Sequence, residues 1–282
     1  MIAVVARRGD DEAQLLVDRC QDLGAVLVTA DDLGAPGWVA PLDGCAGRFV
    51  AEGRPRPTGD ISLAVVRQSV VLPAELEHLV AGDRDYAAAE MTAFLAWWLT
   101  RLGDRVVNRP SPGWLLGPAW SRDHWMAVAH RAGIPTSPHE PAITGGDDLR
   151  SGALTEVTVV DGAAVTEEGA APVRAAASST SQRPAVPGIA STAGPAPTDP
   201  PTEPATGPST QRTAGPAPTG MAAACRAHAE RLARHAGGVR LLGAAFERSG
   251  AGEWQLVAVT LRPALTPAVT GALRRLARDR RS

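Results

Sequence analysis

The sequence predicts an α/β fold in two lobes: an N-terminal open, mostly parallel sheet, then an α+β lobe interrupted by a disordered linker. Three observations carry this. Over residues 1–110, short apolar runs alternate with segments of helical period. The patterns in 111–169 and 221–282 read hairpin, helix, hairpin and helix, with one further helix ahead of them. Between those two parts, 170–220 is almost entirely Ala, Pro, Thr, Ser and Gly and carries TAGPAPT twice, at 192–198 and 213–219. Such a stretch buries too little apolar surface to offset the entropy of ordering it, which makes it the expected linker.

The elements follow in order. Ile2–Ala6 reads as a short buried strand. Ala13, Leu16, Val17, Cys20 and Leu23 then recur at helical spacing, with Asp10 or Asp11 to cap the helix and Gly24 to end it. Ala25–Thr29 is a second strand, and strand–helix–strand order implies a parallel pair with a right-handed crossover. Ile61–Val66 is another buried strand, ending at Arg67. Pro73–Val80 is expected as a short helix with Pro in its first turn. Asp83 caps a long helix through Leu102, stopped by Gly103, and Val106–Asn108 is a short strand halted by Pro110 and Pro112. Arg122–Arg131 is helical and ends at Ala132-Gly133.

In the second lobe, Asp161-Gly162 between Val157–Val160 and Ala163–Thr166 predicts a type I′ hairpin. Residues 221–236 form a helix. Val239–Phe246 and Glu253–Leu261, joined by Ser249-Gly250-Ala251-Gly252, pair antiparallel, and Thr266 caps a final helix to about Arg280.

Composition narrows the function classes. Of 282 residues 44% are hydrophobic and 21% charged, with a formal net charge of −2, so no global field favours nucleic acid or an anionic membrane. No run reaches the ~18 apolar residues of a membrane span, and the N-terminus lacks a signal-peptide pattern, so a cytoplasmic protein is expected. Cys20, Cys45 and Cys225 are far apart and predict neither a disulfide framework nor zinc. The six histidines show no metal-ligand spacing within a helix. The chain contains no lysine, which excludes a Schiff-base lysine or a lysine phosphate grip.

Several residues invite a functional reading beside a structural one. Trp97-Trp98 reads as a core face plus one partly exposed indole. Trp114, Trp120 and Trp125 lie within one Pro- and Gly-broken stretch beside Arg109 and Arg122: either a minicore or a recognition surface. Asp83 and Asp85 suit a helix start. Arg67 stands at the carboxyl end of a strand, where open α/β sheets bind ligands, and two readings remain open, a ligand contact or an ion pair with Glu90. Arg274, Arg275, Arg278, Arg280 and Arg281 suit a helix C-terminus, and no aromatic motif accompanies them for nucleic acid.

The order of these landmarks resembles a known family. A strand ends in Arg67, and a helix follows with Tyr86 and Glu90 four apart. Then come Val-Val-Asn-Arg-Pro at 106–110, a helix ending Ala-Gly-Ile-Pro at 132–135, and Pro138. Leu-Leu-Gly-Ala-Ala-Phe (241–246) precedes Trp-Gln-Leu-Val-Ala-Val-Thr-Leu-Arg-Pro (254–263). This is similar to ATP-grasp proteins, in the branch of ribosomal-peptide-modifying and RimK-like carboxylate–amine ligases. The resemblance covers about 1–140 and 221–282 and makes the second lobe a reduced ATP-grasp-like lobe. It also implies which positions have changed. The place of a nucleotide-binding lysine falls at Arg122. Only about 15 residues separate Pro141 from Glu156, too few for the family's glycine-rich lid. An acidic place falls at Ala245. The final Glu-Val-Asn reads Ala258-Val259-Thr260.

On this resemblance the chain is expected to be a non-catalytic accessory or binding protein, a pseudoenzyme, in peptide modification. No catalytic residue, metal ligand or cofactor is expected. Arg67, Glu90, Asn108, Arg109, Trp114, Trp120 and Arg122 are the candidate contacts of an inter-lobe cleft for a peptide, a small acidic ligand or a partner enzyme. The alternative is an atypical ATP-dependent carboxylate–amine ligase using ATP and Mg²⁺, with Arg122 replacing lysine and Asp147, Asp148 or Glu247 recruited for the metal. A second alternative is a scaffold whose linker spaces its partners.

Overall fold

The computed structural model of the chain describes residues 1–40, 47–138, 154–165 and 219–280. The first sheet has the order β2-β1-β5-β6, from β1 (Ile2–Val5), β2 (Val26–Val28), β5 (Leu63–Val66) and β6 (Val106–Val107). Every pairing in it is parallel. Helix α1 (Asp11–Arg19) makes the crossover from β1 to β2. The Asp10 side chain caps it by accepting from the Ala13 N–H at 3.1 Å. The chain leaves through a 3₁₀ turn, Gln21–Leu23, and Gly24 at φ 66°.

Three elements have no counterpart in the sequence pattern. Helix α2 (Ala30–Gly34) follows β2, and β3 (Arg48–Ala51) pairs antiparallel with β4 (Arg54–Pro57) as a two-stranded ribbon. Glu52 and Gly53 both have positive φ, and buried Asp32 accepts the Gly53 N–H at 2.9 Å. The ribbon carries Phe49 onto an aromatic group: Trp38 lies 5.4 Å from Trp98 and 5.1 Å from Phe94, edge-on in both cases.

Two expectations need correction. Pro73–Val80 is not an α-helix but a 3₁₀ turn, Pro73–Glu75, followed by a further turn. Its N–H groups reach three residues back, and the Glu75 carboxylate accepts the Leu72 N–H. Asp83 holds the N-cap place of α3 (Arg84–Arg101), yet its side chain makes no capping bond. The preceding 3₁₀ turn, Ala81–Asp83, already gives it helical backbone angles. Gly103, at φ 62°, does follow the helix end. Trp98 is 1% exposed and Trp97 half-buried, as a core face requires.

The second sheet has the order β10-β9-β7-β8 and is antiparallel throughout. Its strands are β7 (Thr155–Val160), β8 (Ala163–Val165), β9 (Leu241–Arg248) and β10 (Trp254–Thr260). Asp161 and Gly162 turn the β7–β8 hairpin with φ 51° and 83°. Helix α4 (Arg122–Arg131) is capped by Ser121, α5 spans Thr219–His235, and α6 (Pro267–Asp279) is capped by Thr266. The expected linker, apart from its last two residues at the start of α5, lies outside the described residues. So do Cys45, Asp147, Asp148, Thr166 and Arg281.

Two apolar layers run through both sheets. In one, Val4, Leu63 and Val65 of the first sheet meet α1, and Leu241 and Val160 of the second meet α6. In the other, α3, α4, α5 and the ribbon cover the opposite faces. Asn108 joins the sheets between these layers. It is 2% exposed; its Oδ1 accepts the N–H groups of Arg240 (2.7 Å) and Leu241 (2.8 Å), and its Nδ2 donates to the Leu241 carbonyl (2.7 Å). Gly117 fits beside it at φ 121°, where a Cβ would stand 3.2 Å from Asn108 Cβ and 3.4 Å from Leu261.

Asn108→Ala strands three backbone groups, the two of Leu241 buried and the Arg240 N–H partly so. We expect a loss of about 3 kcal/mol, read as a lower urea midpoint at an unchanged slope. A loss under about 1 kcal/mol would show that the joint relaxes onto other partners.

Candidate functional site

The carboxyl ends of β1 and β5 lie at the centre of the first sheet, where the strand order reverses and such sheets form a crevice. Arg67 enters here from β5. Its side chain is 2% exposed, and three partners hold it: Asp10 (Nε to Oδ2, 3.2 Å), the carboxylate of Glu12, and the carbonyl of Pro263 (3.1 Å). Arg262 reaches the same Asp10 oxygen at 2.7 Å. Arg67 therefore does not pair with Glu90, which lies exposed on α3. The nearer acids of the β1–α1 turn satisfy it instead.

The other candidate residues lie apart. Asn108 is committed to the inter-sheet joint. Arg109 is exposed and paired with Asp104 at 3.0 Å. Trp114 and Trp120 are half-buried and pack on the large core, with Leu115 and Leu116 buried between them in sequence. The Leu115 N–H donates to the Ser69 carbonyl at 2.7 Å, which pins the segment to the end of β5. Trp120 stacks on His124 at 4.5 Å and meets Trp125 edge-on at 4.7 Å. Arg122 opens α4. The seven candidates thus divide among the crevice (Arg67), the joint (Asn108), the surface (Glu90 and Arg109) and the Trp-rich segment with the start of α4 (Trp114, Trp120 and Arg122).

The second sheet offers a different surface. Its face opposite α5 presents Glu156, Gly243, Ala245, Glu247, Gln255, Ala258 and Thr260. Register places Ala245 between Glu156 of β7 and Ala258 of β10. The two positions that the family resemblance makes acidic are therefore cross-strand neighbours, close enough for two carboxylates to share one ion. Both are alanine. Gly243 lies farther along the same face, where a Cβ would come within 2.9 Å of Thr260 and 3.2 Å of Pro263. Glu247 is engaged, accepting the Ser137 hydroxyl at 2.5 Å. Among the described residues no three His, Cys, Asp or Glu side chains converge as a metal site. The described residues of this face do not fit a magnesium–nucleotide complex, which needs clustered oxygen ligands and positive charge around its phosphates.

The two described thiols, Cys20 and Cys225, are not activated. Burial pushes Cys20 up despite Arg274 nearby, and burial pushes Cys225 up to about 11. Sequence reasoning missed the Asp10–Arg67–Arg262 network and the Ser137–Glu247 bond. The visible signal is the run of acids directly after β1, whose position beside a helix start points to a cap alone.

No family model matches the chain, and no curated protein matches it. Its fold is similar to solved structures. The ATP-grasp ligase PsnB complexed with minimal precursor aligns over 100% of this chain and 99% of its own, at 12% identity and a TM-score of 0.60. The macrocyclase MdnC bound with precursor peptide MdnA, from Microcystis aeruginosa MRC, aligns over 99% of both chains at 10% identity and 0.59. A RiPP-associated ATP-grasp ligase of Chryseobacterium gregarium, in complex with ADP and a leader and core peptide, covers 99% of this chain and 96% of its own, at 11% and 0.57. The chain has an ATP-grasp-like fold.

Burial pushes the Asp10 carboxyl up, but Arg67, the Ala13 N–H and Arg262 outweigh it and hold the group below its ordinary 3.8. Its stabilisation is complete above pH 3.8 and is lost as pH falls through the lower folded value. Thermal melts from pH 6 to pH 2 are expected to show stability falling below about pH 4, with a shallower fall in Asp10→Asn.

Proposed function

We propose that this protein is a non-catalytic ATP-grasp-like accessory of peptide modification, binding a peptide or a partner enzyme rather than turning over ATP. The observation that supports this most directly is the Ala245–Ala258 pair. It removes both expected acids from adjacent strands at one point of the sheet. The absence of lysine from the whole chain removes the usual phosphate contacts as well. Replacing one ligand by a neighbour is chemically simple; replacing the acids, the lysines and the lid together is not.

The peptide part of the reading rests on the fold. The similar structures above are complexed with or bound to precursor peptides or precursors, and this chain keeps both lobes of that fold. The half-buried indoles of Trp114 and Trp120 are the contacts we assign to a peptide, because aromatic anchors on a rigid base lose little entropy on binding. On this reading residues 1–110 form one lobe, and 111–169 with 221–282 the other.

Calorimetry with Mg-ATP up to millimolar concentration tests the nucleotide half. No saturable heat is expected, and no thermal shift. Magnesium-dependent saturation would overturn the reading and favour the ligase alternative, with Arg122 in the lysine's place and Asp147, Asp148 or Glu247 as replacement ligands. Precursor-type peptides are expected to bind with the nucleotide absent, and Trp120→Ala to weaken them about tenfold, or ~1.4 kcal/mol.

A further inference from the structure

Asp10 occupies a place in which open parallel sheets receive ligands, just beyond the carboxyl end of β1 and at the N-terminus of α1. Its Oδ1 takes the Ala13 N–H at 3.1 Å. Its Oδ2 takes Arg67 at 3.2 Å and Arg262 at 2.7 Å, and the carboxylate is only 4% exposed. One arginine comes from β5 and the other from the connection between β10 and α6. A free N–H at a helix start and two converging guanidinium groups are the equipment of an anion site. Here the carboxylate filling it is covalently part of the chain.

We propose that this crevice is an anion-binding site whose resident ligand is the chain's own Asp10, so that the two lobes close without any bound phosphate or carboxylate. Arg67 also donates to the Pro263 carbonyl, so the filled site draws the β10–α6 connection onto the first sheet. Glu12, in the first turn of α1, takes another nitrogen of Arg67 and balances its charge. None of these residues is a position that the family resemblance assigns to ATP, so the inference stands whatever nucleotide binding shows.

Chemical rescue tests it on the full chain. Asp10→Ala removes the resident anion. Asp10→Ser does the same while keeping a capping hydroxyl. Asp10→Asn keeps the cap and fills the space without charge. We expect Asp10→Ala to lower Tm by about 10 °C. Sodium acetate at roughly 0.2 M, compared with equal sodium chloride, should raise Tm of the Ala and Ser variants by about 4 °C. The same comparison should move the wild type and Asp10→Asn by less than about 1 °C. Adding Arg262→Ala to Asp10→Ser should abolish the response. If Asp10→Ala folds only in acetate, the proposal is supported; if it folds in neither salt, the Ser variant decides. An equal acetate response in all variants, or none in Asp10→Ser, overturns the proposal.

Discussion

A buried guanidinium cannot be left unpaired, and Arg67 organises the molecule around that requirement. Isolated charge in an apolar interior costs several kcal/mol even after relaxation. Its three partners therefore constrain three separate pieces of chain: the turn entering α1, the first turn of α1 itself, and the connection leaving β10. Such a network adds little net stability over a well-packed apolar replacement. It does penalise other arrangements heavily, because moving any one partner exposes the cost of the rest. Asn108 imposes the same discipline on neutral groups a short distance away, with its amide oxygen and nitrogen both spent on the first residues of the second sheet's central strand and the residue before it.

What the sequence made legible was local. The strand–helix–strand opening, the caps at Asp10 and Thr266, the Asp161-Gly162 turn and the full extent of α4 all depend on neighbours a few residues apart. The β3–β4 ribbon escaped because Arg-Pro-Arg-Pro reads against a strand, and its turn is Glu-Gly rather than Asn-Gly or Asp-Gly. The partners of Arg67 escaped for another reason. Pro263 lies 196 residues away, and Arg262 meets Asp10 across 252. Helical spacing placed Glu90 and Tyr86 on one face of α3, but nothing in that spacing says which element faces Arg67. For the second sheet, the family resemblance identified Ala245 and Ala258 separately; only the register shows that they are opposite each other.

That register also explains how such a surface can change while the fold persists. The stabilising contacts of the second sheet lie on its other side, where Val157, Leu242, Ala244 and Phe246 meet α5, and at its lower end against α6. The face carrying Ala245 and Ala258 is partly open, so substitutions there forfeit little packing. Acidic residues clustered on such a face repel one another unless a cation is present, and their absence relieves the sheet of that dependence.

The prolines of the β3–β4 ribbon have a consequence for how copies of the chain meet in solution. Arg54 and Arg56 direct their backbone groups to β3, so Pro55 and Pro57 occupy the outward-facing positions of the edge. An edge without donors there cannot template a further strand, and the exposed Arg54 adds charge repulsion between copies. In the second sheet the three-residue edge strand β8 is blunted differently, with Glu230 of α5 accepting the Ala164 N–H at 3.0 Å. The outward-facing N–H positions described on these two strands are thus closed to pairing with a further strand.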